Sequence, residues 1–118
     1  MEQLKNINHS FDVEKGDVAV TVRKGSKWYD FSTGSKFEMR ICPRGHDGEC
    51  NSLCEKVGEG KKIGAWRGAL SQLPKKLLSI EHNIEARDYE KLVLMLEAGY
   101  GSISPSDTVT AMIYIREK

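Results

Sequence analysis

Two sets of residues in this 118-residue chain have the types and spacing to do chemistry. The first is Thr21 and Arg23. Successive side chains of a strand point to opposite faces, so in Gly16-Asp17-Val18-Ala19-Val20-Thr21-Val22-Arg23 the valines share one face and Ala19, Thr21 and Arg23 the other. A hydroxyl and a permanent cation then stand side by side, where a ligand could meet both. The bland alternative is a half-exposed strand with a solvated arginine. The second set is Cys42, His46, Cys50 and Cys54, spaced C-x3-H-x3-C-x3-C in a polar loop. All four are zinc-ligand types, and a Cys3His set leaves no open position for water, so such a zinc would be structural. Reduced surface thiols are the alternative, and nothing marks a base that would activate one of them.

Eighteen Lys and Arg stand against seventeen Asp and Glu, so net charge selects no partner. Its distribution says more. Arg23 to Arg44 holds six basic and two acidic residues, and Lys61 to Lys76 holds five basic and no acidic ones. Trp28, Tyr29 and Trp66 fall within these blocks. Folded side by side, the blocks would form a positive surface whose aromatic faces stack on an unpaired base, with Lys24, Lys27, Lys62 and Arg67 attracting the phosphate backbone and Arg40 a further ligand-binding candidate. The alternative is that the tryptophans plug the ends of a barrel. His9 and His82 are expected at the surface. The chain has no phosphate-binding glycine loop, dinucleotide fingerprint, HExxH or GxSxG, which removes the usual support for those enzyme classes. No apolar run reaches membrane-spanning length and no signal peptide opens the chain, so a cytoplasmic protein without membrane contact is expected.

The elements that must position these residues can be read in outline. Met1 to Lys15 suits a short helix or an irregular lead-in. Gly16-Asp17 turns into the valine strand, and Lys24-Gly25-Ser26 closes it. Lys36 to Cys42 alternates as a half-buried strand with Phe37, Met39 and Ile41 on one face. Pro43 to Gly60 reads as loop, Lys61 to Arg67 as a third strand, and Pro74 opens a helical turn. Asn83 is the expected N-cap of a main helix over about Glu85 to Ala98, whose Tyr89, Leu92, Val93 and Leu96 stripe, widened by Leu94 and Met95, predicts deep burial. Gly99 and Gly101 end it. Thr108 to Arg116 is the last strand, with Val109, Ala111, Ile113 and Ile115 inward. Strands without regular βαβ alternation predict a single α+β domain with a curved sheet or small barrel.

Gly16-x-Val18-x-x-Thr21-x-Arg23, followed by Lys24-Gly25 and Trp28, resembles the signature of the ASCH domain (activating signal cointegrator homology), a PUA-like family. In that signature a glycine is followed two residues on by lysine, then by glutamate or threonine, then by a closing arginine. The Gly34 turn, the Gly60 to Trp66 stretch, a helix ending in Tyr100-Gly101 and the Asp107-Thr108-Val109 strand agree in order. The resemblance implies one PUA-like mixed β-barrel with the main helix packed against it, residues 1–15 as lead-in and 16–118 as core. It implies binding of RNA, a nucleotide or a modified nucleoside beside Thr21 and Arg23. One branch of the family hydrolyses the acetyl amide of N4-acetylcytidine with a lysine, threonine and glutamate set. Thr21 matches the threonine and Arg23 the arginine, while Glu81 and Glu85 are both candidates for the glutamate. Val18 stands where the lysine belongs, and a valine can neither activate a hydroxyl nor hold an anionic intermediate. Some relatives are credited with ribonuclease activity, for which this chain has no diagnostic histidine pair. A zinc-stabilised interaction module is the remaining reading.

Overall fold

In the computed structural model, which describes residues 5–8, 13–42 and 53–118, five strands form one sheet. In chain order the elements are β1 (Lys5–Asn8), β2 (Val18–Lys24), α1 (Lys27–Asp30), β3 (Lys36–Ile41), β4 (Glu55–Ala69), α2 (Lys75–Leu78), α3 (Tyr89–Tyr100) and β5 (Thr108–Arg116). The lead-in thus contributes a strand rather than a helix or irregular chain, and β1 pairs in parallel with β3. The sheet order is β1-β3-β4-β5-β2, and the four strands from β3 to β2 are antiparallel and curl into a half-barrel. Gly16 and Gly25, at φ of 91° and 86°, turn the chain at either end of β2, a region of φ that other residues rarely adopt.

Both faces of the sheet are covered. On the outer face Val20, Val22, Val109 and Ala111 pack with Leu70, Leu78, Ala86, Leu92 and Leu96 from the helical segments. On the inner face Ala19, Phe37, Met39, Met112 and Tyr114 pack with Val13 and Trp28. Expecting one inward face on β5 therefore undercounts the burial: Val109, Thr110, Ala111 and Met112 are all buried. Val18, by contrast, lies at the start of β2 beyond this cover and is 47% exposed.

β4 is much longer than the alternation suggests, because the stretch 55–60 is strand and not loop. Three of its glycines, Gly58, Gly60 and Gly68, stand where a Cβ would clash. Gly60 lies opposite Phe37 in the β3–β4 register, and a Cβ at Gly60 would sit 2.5 Å from the ring's Cζ. That ring has no exposure and meets Trp28 and Tyr114 edge-on at 5.8 and 5.2 Å between centroids. Gly60→Ala is therefore expected to cost about 2 kcal/mol by overpacking. The cost should appear as a lower urea midpoint with unchanged slope. A variant as stable as the parent would mean that the aromatic cluster gives way.

The main helix also begins later than expected. Asn83 caps a short 3-10 turn at Ile84–Ala86 by accepting from the Glu85 N–H, and Asp88 caps α3 by accepting from the Lys91 N–H. Gly101, at φ of 83°, ends the helix. α3 is amphipathic rather than deeply buried: Leu92 and Leu96 face the core and Leu94 is 66% exposed.

Candidate functional site

β2 is the last strand of the sheet, so one of its edges needs partners from elsewhere. The segment from Ile80 to His82 supplies them. The Val20 N–H donates to the Ile80 carbonyl at 2.9 Å, and the His82 N–H donates to the Val20 carbonyl at 2.7 Å. Two residues further along β2, a side chain takes over. Oε2 of Glu81 accepts from the Val22 N–H at 2.9 Å. Oε1 accepts from the Asn83 N–H at 3.2 Å and lies 3.1 Å from His82 Nε2. Arg87 Nε donates to the Glu81 carbonyl at 2.9 Å, which holds the segment in place.

Glu81 is fully buried, and burial pushes its carboxyl up to about 7, although the Asn83 and Val22 N–H groups and the charges of Arg23 and Arg87 pull it down. The Tyr114 phenol is raised well above its ordinary value, chiefly by burial and then by the charge of Glu81. On the inner face of β2, Thr21 is fully buried and its Oγ1 accepts from Arg23 Nε at 2.9 Å. Arg23 is half-buried, so it is the member of the set that reaches solvent. The fold thus brings the Glu81 carboxylate to the edge of β2 at Val22, between the strand positions that carry Thr21 and Arg23. The other candidate glutamate, Glu85, is exposed in the turn that Asn83 caps. His82, expected at the surface, is buried beside Glu81. The set combines a hydroxyl, a fixed cation and a carboxyl able to hold or release a proton near neutrality. These are the groups that recognise the amide-like edge of a heterocycle.

The expected aromatic and basic platform assembles only in part. Trp28 is buried in the inner core, edge-on to Phe31 and Phe37. Trp66 packs on the outer core, across the sheet from Trp28, so the two indoles cannot flank one base. Lys62 is buried, and its ammonium donates to the carbonyls of Trp28, Tyr29 and Phe31 at 2.9, 2.9 and 2.5 Å. It is a clamp on the end of α1, and burial lowers its pKa. Arg40 is engaged with Glu38 and the Cys54 carbonyl at the far side of the sheet. Tyr29, 42% exposed, does lie beside a cation, with the Arg67 guanidinium 4.2 Å from its ring centroid. Lys24 is exposed near β2's end, 4.0 Å from Asp107.

Cys42 and Cys54 are joined as a disulfide that ties the end of β3 to the start of β4. In that form neither sulfur is a thiolate, the species a zinc site needs. His46 and Cys50 lie outside the described residues, as does His9. Among the described residues no three His, Cys, Asp or Glu side chains are grouped to hold a metal ion, and no helix is long and apolar enough to cross a membrane. A separate apolar groove of about 390 Å³ runs between α3 and residues 103–105, lined by Leu70, Val93, Leu94 and Ile103 among others.

In comparison with known proteins, no family model, curated protein or solved structure matches the chain.

Proposed function

We propose that this chain is an ASCH-type, PUA-like domain of the cytoplasm that binds RNA or a modified nucleoside by seating one base beside Thr21 and Arg23. The observation that supports this reading is that Arg23 bonds Thr21 on β2 while the Glu81 carboxylate bonds the Val22 N–H between them and feels the charge of Arg23. A pyrimidine edge offers a carbonyl acceptor and an amine or ring N–H donor. Arg23 donates to the first, while the Glu81 carboxyl, buried and engaged by the Val22 and Asn83 N–H groups, sets the charge behind Arg23. Arg23 is the member of the set a ligand meets first, because Thr21 and Glu81 lie beneath the surface.

Calorimetric titration with cytidine and N4-acetylcytidine tests this. Trp28 is buried and Trp66 faces the other side of the sheet, so heat is a better reporter than fluorescence. Arg23→Ala is expected to weaken binding about tenfold, the value of one charge-assisted hydrogen bond. Affinity unchanged by that substitution would argue against the site.

A second reading, hydrolysis of the acetyl amide of N4-acetylcytidine, is favoured by one observation: a carboxyl raised to about 7 lies next to the strand that carries Thr21. The Arg23 guanidinium cannot accept the Thr21 proton, so Glu81 is the base that reading requires. Acetate released during the same titration would favour it; intact ligand at the end would leave the binding module.

A further inference from the structure

The apolar groove beside α3 lies on the outer layer, away from Thr21 on the inner face, and its walls are fixed. Leu70, buried though it lines the groove, donates its N–H to the Asp107 carbonyl at 2.9 Å, and the Ser71 N–H donates to the Pro105 carbonyl at 2.9 Å. Asp107 Oδ2 accepts from the Ser104 N–H at 2.8 Å, which pins the turn that carries Ile103 and Pro105. Across from it, Leu92 and Leu96 anchor α3 in the outer core. The groove of about 390 Å³ between the two walls is therefore preformed.

Residues three, four and seven apart on a helix share a face, so Tyr89, Val93 and Tyr100 form one stripe of α3 and Glu90, Leu94 and Glu97 the next. Leu94 is 66% exposed and Tyr100 44%, and the apolar stripe runs about 16 Å from Tyr89 to Tyr100. Glu90 and Glu97 stand two turns apart, about 10 Å, along the same side. Among the described residues neither carboxylate has an ion pair. The facing wall, Ser102 to Ser106, carries no cation. Arg87 is turned to the Glu81 carbonyl, and Lys91 lies about 100° round the helix from Glu90.

We propose that this groove docks a basic amphipathic segment of a partner protein, with apolar anchors between Leu94 and Ile103 and two Lys or Arg side chains against Glu90 and Glu97. A preformed apolar trough edged by carboxylates complements such a segment in shape and in charge. Two turns of a helix laid along α3, or three residues of extended chain, span the distance between the carboxylates. The stripe continues past the groove to Tyr100, so the occupant is longer than a small ligand. A second copy docking the same face would bring these carboxylates toward their own counterparts, which disfavours self-pairing.

The test titrates the full chain into a fluorescein-labelled 18-residue amphipathic helix of leucine and lysine, and into a counterpart with glutamate in place of lysine, followed by anisotropy. The parent is expected to bind the lysine peptide at least tenfold more tightly, the size of two exposed ion pairs. Leu94→Ser should weaken that binding about tenfold through lost apolar contact. Glu90→Lys combined with Glu97→Lys should reverse the preference between the peptides. Glu55→Lys, at the opposite end of β4 from Leu70, is the control for general attraction and should leave the affinity within about twofold. These positions are exposed, so thermal unfolding should show the variants folded. Equal affinity for the two peptides, binding of neither, or binding that falls in Glu55→Lys yet survives in Leu94→Ser would overturn the proposal. Self-association of the parent that Leu94→Ser abolishes would give the groove to a second copy, and saturable binding of free octylamine with neither peptide would give it to a small ligand; either overturns it. None of these outcomes bears on the base site.

Discussion

Lys62→Met is expected to lower the stability of the fold by about 3 kcal/mol. The ammonium it removes is the shared donor to three carbonyls, those of Trp28, Tyr29 and Phe31. Methionine fills a similar volume and relieves the cost of burying a charge, but it leaves those carbonyls without their donor. α1 spans only Lys27–Asp30, too short to hold itself together, and it carries Trp28 into the inner core. Its loosening should therefore be visible as increased solvent exposure of an indole as well as a lower urea midpoint. Lys75→Met, at an exposed position on α2, is the control and should change stability by no more than about 0.5 kcal/mol. If Lys62→Met unfolds at the same midpoint as the parent, the carbonyls are satisfied in another way and the clamp has no energetic role.

The second large effect is a pH dependence with an unusual sign. Glu81 stands at about 7 in the folded chain against an ordinary 4.5, so between those values the folded state holds a proton that the unfolded state has released. Stability from this group is therefore greatest below its unfolded value and falls as pH rises toward the folded one, by roughly 3 kcal/mol in total. Most carboxylates behave in the opposite way. The groups facing Glu81 are Arg23, His82, Arg87 and Tyr114 together with the Val22 and Asn83 N–H groups. Comparing the parent with Glu81→Gln from about pH 5 to about pH 8 separates Glu81 from everything else that titrates. The parent should lose stability relative to the variant as pH rises. Parallel curves would mean that Glu81 is ionised throughout, with the two N–H groups and Arg23 outweighing its burial.

What the sequence made legible, and what it did not, follows from where local pattern decides the outcome. β2, β3 and β5 were readable because alternation and flanking glycines agree, as at Gly16 and Gly25. Burial of Lys62 was not. Counting by twos from Trp66 puts Lys62 on the outer face, but the register shifts between Lys62 and Gly64, and this bulge turns Lys62 inward opposite Tyr114. The strand at 55–60 was hidden because Gly58 and Gly60 look like loop residues, when they clear space for the Lys118 carbonyl and the Phe37 ring. Thr21 and Arg23 could be singled out from one strand. Choosing Glu81 over Glu85 could not be done locally, because it depends on a contact between residues 22 and 81 that no spacing rule reports.

The segment at residues 80–82 has one further consequence. It completes the edge of β2, and it does so in part with the Glu81 carboxylate, which accepts from the Val22 N–H and feels the charge of Arg23. A bare strand edge is a template for another chain, so this contact also guards the fold against edge-to-edge pairing. In the proposed reading, ligand recognition and cover of the strand edge are joined in one side chain. A substitution at Glu81 that frees the Val22 N–H alters the ligand site and uncaps the sheet together, and self-association of such variants is to be expected along with any loss of binding.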